Sequence, residues 1–441
     1  MSSISAHGLG GADDLPISGS LAIVGGTAAL AISFVVLLLA WRQPRFGRAG
    51  HELAVPPPIA RVLDGSWFRA GLRVMGIAFL AFMLWPALLG RNDLANPLLG
   101  VTYAWLWVGL VPLSLLFGPA LRAMSPVRTL AELLDKGTGR SGGEGVVPYP
   151  AALGYWPAAI GLLTFVWLEL ISPSSTDVGV VRLWFAFYLA AMLLGWAVFG
   201  TTWIGRADPF EVYSTLVGRL SLWSRSASGR LVLVSPLRNL SRLRPEPGLV
   251  AVVAVLLGST AYDSWSSSAT WIRYVQSNEV DVTRLGTALM VVIILVVGTT
   301  FAVASMTTAV DTRRSARKEL PRRLAHSLVP IIVGYMIAHY LTFLVEYGQQ
   351  TLIQMSDPVG SGANLFGTAD MEVNYWLSQN PTVLASIKVL AIVVGHVLGV
   401  MAAHDRAISL LPRRHHVVGQ LALLAAMVGY TFMGLYLLFG S

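Results

Sequence analysis

AHSLVPIIVGYMIAHYLTFLVEYGQQ, residues 325–350, is the stretch on which the fold turns. From 326 to 348 it is long and apolar enough to cross a bilayer core, which takes about 20 helical residues. It nevertheless carries Tyr335, His339, Thr342, Glu346 and Gln349 at successive spacings of 4, 3, 4 and 3, which places them on one helical face. Lipid does not tolerate such a stripe. The face is therefore expected to meet a protein interior or a water-filled cavity, and it is the first candidate site.

The composition around this segment is that of a membrane protein. Of 441 residues, 55% are hydrophobic and only 12% charged, and the mean hydropathy is +0.65. Soluble domains carry about 25% charged residues. The chain has no cysteine, which excludes a disulfide framework, an iron–sulfur cluster and a cysteine nucleophile. A formal net charge of +8 raises the question of nucleic acid, but the basic residues lie in loops between apolar runs. That pattern reports membrane topology and gives no reason to expect a nucleic-acid partner.

Hydropathy predicts an all-α polytopic bundle of about ten transmembrane helices. They are placed near 19–41, 70–90, 98–121, 151–171, 181–203, 248–266, 286–310, 326–348, 381–403 and 416–438. Strands of a membrane barrel would be shorter and would alternate in polarity, and no persistent alternation exists here. If the N-terminus is outside, 24 of the 31 Lys and Arg residues fall in inner loops, so both termini are expected outside. The resulting organisation is a short outer tail over 1–18 and a single transmembrane domain over 19–438. Within that domain lie a long cytoplasmic loop at 204–247 and a long outer loop at 349–380. The tail lacks the basic and apolar regions of a cleavable signal, and its His7, Asp13 and Asp14 are read as solvated.

Two inner segments, MSPVRTLAELLDK from Met124 and ADPFEVYSTLVGRLSLW from Ala207, open with Ser-Pro or Asp-Pro before a helix-like run. They are expected to lie in the inner interface and to serve in anchoring or packing. The glycine-rich GTGRSGGEG between them is not a phosphate-binding loop, because no Gly-Lys-Ser/Thr follows.

Glu169, Asp263 and Glu346 all fall late in helices that run outward, about 22–30 Å from their starts at the helical rise. They are expected to share a depth in the outer leaflet, with His339 about 10 Å below Glu346 on the same face. Glu169 has a plainer alternative, snorkelling outward or an ion pair with Arg182. The following segment carries Asp357, Asp370 and Glu372 with no basic residue, which suggests an anionic mouth. The ninth span holds Lys388, His396 and His404 beside Asp405. Its Gly395, Gly399 and Ala403 form a small-residue face that lets another helix approach closely. Lys388 is expected to neutralise a carboxylate, and His396 to pass protons inward.

His339, Glu346 and Asp263 form a candidate ligand set for a divalent metal ion such as zinc, manganese, iron or nickel. No HExxH, no HxxxH within one helix and no Gly-x-Ser-x-Gly on a strand–helix pattern occurs.

The phrases AHGLGGADDLP, GPALRAMSPVRTL, ADPFEVYSTL, LGSTAYDS, AHYLTFLVEYGQ and GHVLGVMAAHDRA touch most of the chain. In them the sequence resembles an uncharacterised family of bacterial polytopic membrane proteins labelled fenitrothion hydrolase. The resemblance implies a bacterial cytoplasmic membrane protein and strengthens an enzyme alternative, without assigning any residue a role.

Three functions remain in view. The first is a permease-like transporter that binds a cation, metal ion or small cationic solute at Tyr335, His339, Thr342, Glu346, Gln349, Asp263 and Glu169, with His396 and Lys388 relaying protons. The second is a membrane-embedded hydrolase using His339, Glu346, Asp263 and His396. The third is an accessory subunit with a membrane-protein partner, in which the stripe is an interhelical hydrogen-bond seam.

Overall fold

The computed structural model describes residues 18–47, 52–138, 143, 145–307, 316–412 and 418–439. The expected tail, with His7, Asp13 and Asp14, lies outside the described residues except for Ser18. The described chain is mostly helical. The principal helices are α1 (Gly19–Ala40), α2 (Ser66–Leu89), α3 (Pro97–Val108), α4 (Leu110–Phe117), α5 (Pro126–Thr138), α6 (Trp156–Leu170) and α7 (Val178–Phe199). They continue as α8 (Pro209–Gly218), α9 (Leu249–Ser266), α10 (Val282–Met306), α11 (Val329–Thr342), α12 (Gly348–Met355), α13 (Pro381–Leu410) and α14 (Leu421–Phe439).

Among the described residues, eight helical segments are long and apolar enough to cross a membrane: α1, α2, α7, α9, α10, the run Arg317–Met355 that contains α11 and α12, α13 and α14. The span expected near 98–121 is the pair α3 and α4, bent by 43°. The one expected near 151–171 is α6, whose 15 residues reach about 22 Å, less than a bilayer core.

Local sequence explains where these helices start and stop. The Asp177 side chain accepts hydrogen bonds from the amides of Gly179 and Val180 at the start of α7, and Asp281 accepts one from Arg284 at the start of α10. Each satisfies amides that have no partner within the helix. Gly200, at φ 69°, ends α7 in a conformation that a side chain would oppose.

The described chain divides into two compact units. The first draws on Met1–Gly50, Leu240–Glu346 and Asn374–Ser441, the second on His51–Asn239 and Tyr347–Val373. In the first, α11 packs along α13 through glycine. A Cβ on Gly395 would stand 2.6 Å from the carbonyl oxygen of Pro330, and one on Gly399 would stand 2.8 Å from that of Ser327. The small-residue face of α13 therefore receives α11. At the far end of α13, Asp405 accepts from the Trp41 indole at 3.1 Å and from the amides of Arg45 at 2.6 Å and Phe46 at 3.2 Å, which pins the segment after α1.

The second unit corrects the picture of interfacial helices. Helix α5 does bury Val127 and Ala131 against Met192, Trp196, Ile204 and Ala207. Helix α8 is enclosed further, with every residue from Pro209 to Ser214 buried, so it packs within the protein. It packs against α4 and α6. Its Glu211, Ser214 and Thr215 share one helical face, so the sequence pattern alone does not mark it as enclosed. Its one acidic residue, Glu211, is neutralised by Arg128 in a two-pronged pair at 2.5 and 2.6 Å. Beside it Asp208 caps α8 through the amides of Phe210 and Glu211 and accepts from the Tyr188 hydroxyl at 2.9 Å. Burial and then the nearby Glu211 push the Asp208 carboxyl up to about 7.

The segment 204–247 also contains strands. Leu53–Ala54, Trp223–Arg225 and Leu231–Leu233 form a three-stranded antiparallel sheet with the last in the middle, in register Leu53 to Leu233 and Trp223 to Leu233. These strands are two or three residues long, too short for alternation to mark them in sequence.

Candidate functional site

Enclosure singles out two spans of the eight. In α9 and in the run containing α11, 72% and 78% of the most apolar stretch is buried, against 22% or less in α1, α2, α7 and α10. Only spans shielded on most sides can carry ionisable groups at low cost. These two carry Asp263 and His339.

Helix α9 is drawn close to its neighbours by Gly258, where a Cβ would meet Ile294 of α10 at 2.7 Å. Its last turn presents Asp263 and Ser264, which are 7% and 4% exposed. Helix α11 presents Tyr335, His339 and Tyr340, all buried. The five side chains form one network. His339 Nε2 lies 2.9 Å from Asp263 Oδ2, and the Tyr340 hydroxyl donates to the same oxygen at 2.6 Å. His339 Nδ1 lies 3.1 Å from Ser264 Oγ, which also accepts from the Tyr335 hydroxyl at 2.7 Å.

The hydrogen positions are fixed by the donors and acceptors present. A carboxylate only accepts, so His339 Nε2 carries a hydrogen and donates to Asp263. With Tyr335 donating to Ser264, the serine hydrogen is free to point to His339 Nδ1.

Thr342 and Lys388 are fully buried. Glu346 is also buried but accepts from the amide and hydroxyl of Ser378. It sits in a π-helical turn, Phe343–Tyr347, that interrupts the regular spacing after His339. An extra residue in a turn rotates the downstream side chains by about 100°, so a stripe drawn for a uniform α-helix breaks there. Gln349 and Glu169 belong to the second unit. Arg182, the alternative partner of Glu169, donates to the Ala87 carbonyl at 3.0 Å. Among the described residues no group of three or more His, Cys, Asp or Glu is placed to hold a metal ion. The set His339, Glu346 and Asp263 thus contributes a bonded pair and a separate carboxylate.

His396 makes one hydrogen bond, from Nδ1 to the Ile392 carbonyl at 2.8 Å, and is not bonded to the network. His404 bridges the Gln420 side chain at 2.9 Å and the Trp41 carbonyl at 3.0 Å. In the second unit, the turn after α12 is closed by Asp357, which accepts from the amides of Ser361 and Gly362, both at 2.8 Å. A cavity of about 300 Å³ lies there, lined by Arg91, Asn96, Gln354 and Asp357 among others.

Sequence reading missed Ser264 and Tyr340. Ser264 stands in a serine-rich run with nothing to distinguish it, and Tyr340 lies off the stripe by one residue, about 100° round the helix. Comparison with family models, with curated proteins and with solved structures yielded no match for the chain.

Proposed function

We propose that this multi-pass membrane protein is a proton-coupled permease for a small cation or cationic solute. In this reading it resides in the bacterial cytoplasmic membrane with both termini outside, as its loop charges suggest. The observation that carries the reading is the His339–Asp263 pair, closed by Ser264, Tyr335 and Tyr340 inside the two most enclosed spans. A buried pair of this kind is expensive unless it works, and intramembrane His and carboxylate groups typically serve proton or ion pathways. Adding one proton changes the charge of the site by one unit in a low-dielectric setting, which gives a proton gradient something to act on. The span that bears His339 is also irregular. A 3-10 turn at Ala325–Leu328 precedes α11 and the π turn at Phe343–Tyr347 follows it. Such breaks are frequent at functional sites and in transporter helices.

The test uses proteoliposomes loaded with a pH-sensitive dye and challenged with sodium, potassium or methylammonium. Cation-dependent proton movement is expected, and it should be lost in Asp263→Asn and His339→Gln. Proton movement that persists in both variants would sink the assignment.

One observation favours a second reading, the membrane-embedded hydrolase that the family resemblance implies. Ser264, His339 and Asp263 are connected in the order of a serine hydrolase triad, but with the ring nitrogens exchanged, Nδ1 meeting the hydroxyl and Nε2 the carboxylate. Against it, Ser264 already accepts the Tyr335 hydrogen and is buried. This reading requires turnover of an ester or phosphotriester in detergent, abolished by Ser264→Ala, with no need for a second compartment.

A further inference from the structure

His396 is 1% exposed on α13. Its Nδ1 faces the Ile392 carbonyl at 2.8 Å. A carbonyl only accepts, so the hydrogen belongs on Nδ1, and Nε2 is left with a lone pair. That Nε2 atom is buried and has no hydrogen-bond partner. Buried acceptors are nearly always satisfied, so an orphaned one in a well-packed helix asks what donor belongs beside it.

A cavity of about 50 Å³ lies at this histidine, lined among others by Leu257, Val297, Tyr335, Met433 and Leu437. The polar atoms on the neighbouring tyrosines are already engaged. The Tyr335 hydroxyl donates to Ser264, and the Tyr430 hydroxyl bonds the Val297 carbonyl at 2.9 Å and Thr300 at 2.7 Å. The walls are otherwise apolar. Water in a buried site needs two to four polar partners, and His396 Nε2 is the one atom of this lining that lacks any partner. An apolar molecule with a single O–H matches both features, since the hydroxyl supplies the missing donor and the body fills the apolar space. Met433 lines the cavity and is half exposed on the apolar face of α14, so the approach is from the hydrocarbon side.

We propose that this crevice binds a membrane-dissolved molecule made of an apolar chain with one hydroxyl donor, the chemistry of a long-chain alcohol, with His396 Nε2 accepting its hydrogen. The volume of about 50 Å³ admits the hydroxyl and about one carbon, at about 30 Å³ per water-sized group, and the rest of the chain lies along Met433. The proposal does not depend on proton coupling. It does place an occupant against Tyr335, which is also the last member of the His339 network.

The experiment uses the full-length protein in phosphatidylcholine nanodiscs, a diazirine-bearing octanol as photoprobe, and mass spectrometry of the labelled peptides. Label is expected on α13 or α14 near the cavity. 1-Octanol should compete at a concentration at least tenfold lower than octyl methyl ether, which has the same chain and no donor. His396→Phe should remove that difference, while His396→Gln, which keeps an acceptor, should retain part of it. The proposal is overturned if label falls elsewhere, if alcohol and ether compete equally on the wild-type protein, or if His396→Phe discriminates as well as wild type. The alcohol-to-ether comparison on wild type decides the matter even if a variant fails to fold.

Discussion

His339 and Tyr340, neighbours in sequence, converge on one atom, Asp263 Oδ2, at 2.9 and 2.6 Å. Adjacent residues on a helix point about 100° apart, so both reach that oxygen only because the end of α9 is held close against α11. Tyr340→Phe removes a hydrogen bond to a charged acceptor and is expected to cost about 1.5 to 3 kcal/mol. Asp263→Ala should cost more, about 3 to 5 kcal/mol, because it leaves the buried His339 and Tyr340 without their acceptor. Thermal denaturation in detergent, with Tyr436→Phe at an exposed site of α14 as control, checks the order.

The seam between α11 and α13 depends on missing side chains. Gly395→Ala places a methyl group 2.6 Å from the Pro330 carbonyl oxygen and is expected to destabilise by about 1 to 3 kcal/mol. Gly429→Ala, in α14 with nothing within 4 Å of its Cβ, should be neutral or stabilising by up to about 1 kcal/mol. Equal melting temperatures for the two variants would contradict the close approach.

The Arg128–Glu211 pair is nearly sealed, with side-chain exposures of 17% and 2%. Arg128→Met leaves the buried carboxylate only its longer contact with Arg122 at 3.9 Å and is expected to cost about 3 to 5 kcal/mol. Adding Glu211→Gln should recover part of that loss, since the stranded charge is then gone. Arg128→Lys should fall short of wild type, because an ammonium cannot reproduce the two-pronged geometry. A double-mutant cycle on melting temperature reads all three.

Asp208 gives a pH signature. Its folded carboxyl titrates at about 7 against an ordinary 3.8, so the folded state holds the proton where the unfolded chain has released it. Stability contributed at this site should therefore decline as pH rises from about 4 to about 7 and level off above. Asp208→Asn keeps an oxygen to cap α8 and removes the titration. Its melting temperature should depend less on pH across that window than the wild type's, and parallel profiles would refute the assignment.

Asp405 holds the segment that follows α1 by accepting from the amides of Arg45 and Phe46. In Asp405→Ala these two amides should exchange with deuterium markedly faster, while those of Ile392 and Gly395 within α13 remain protected.

The class of this protein was written in its sequence. A backbone in lipid must satisfy its own hydrogen bonds, so long apolar runs without alternation become helices, and eight of the expected segments are long, apolar helices here. The stripe through Tyr335 and His339 was legible for the same reason, as was the glycine face at Gly395 and Gly399. Partners were not. Which helix the glycines admit, which serine of a serine-rich run bonds His339, and that Tyr340 joins Asp263 all depend on helix rotation and depth, which packing sets and hydropathy does not record. The enclosure of α8 and the break of the stripe at Phe343–Tyr347 are likewise tertiary results. The first rests on a charge neutralised by Arg128, distant in sequence, and the second on a turn whose hydrogen bonds leave the α pattern.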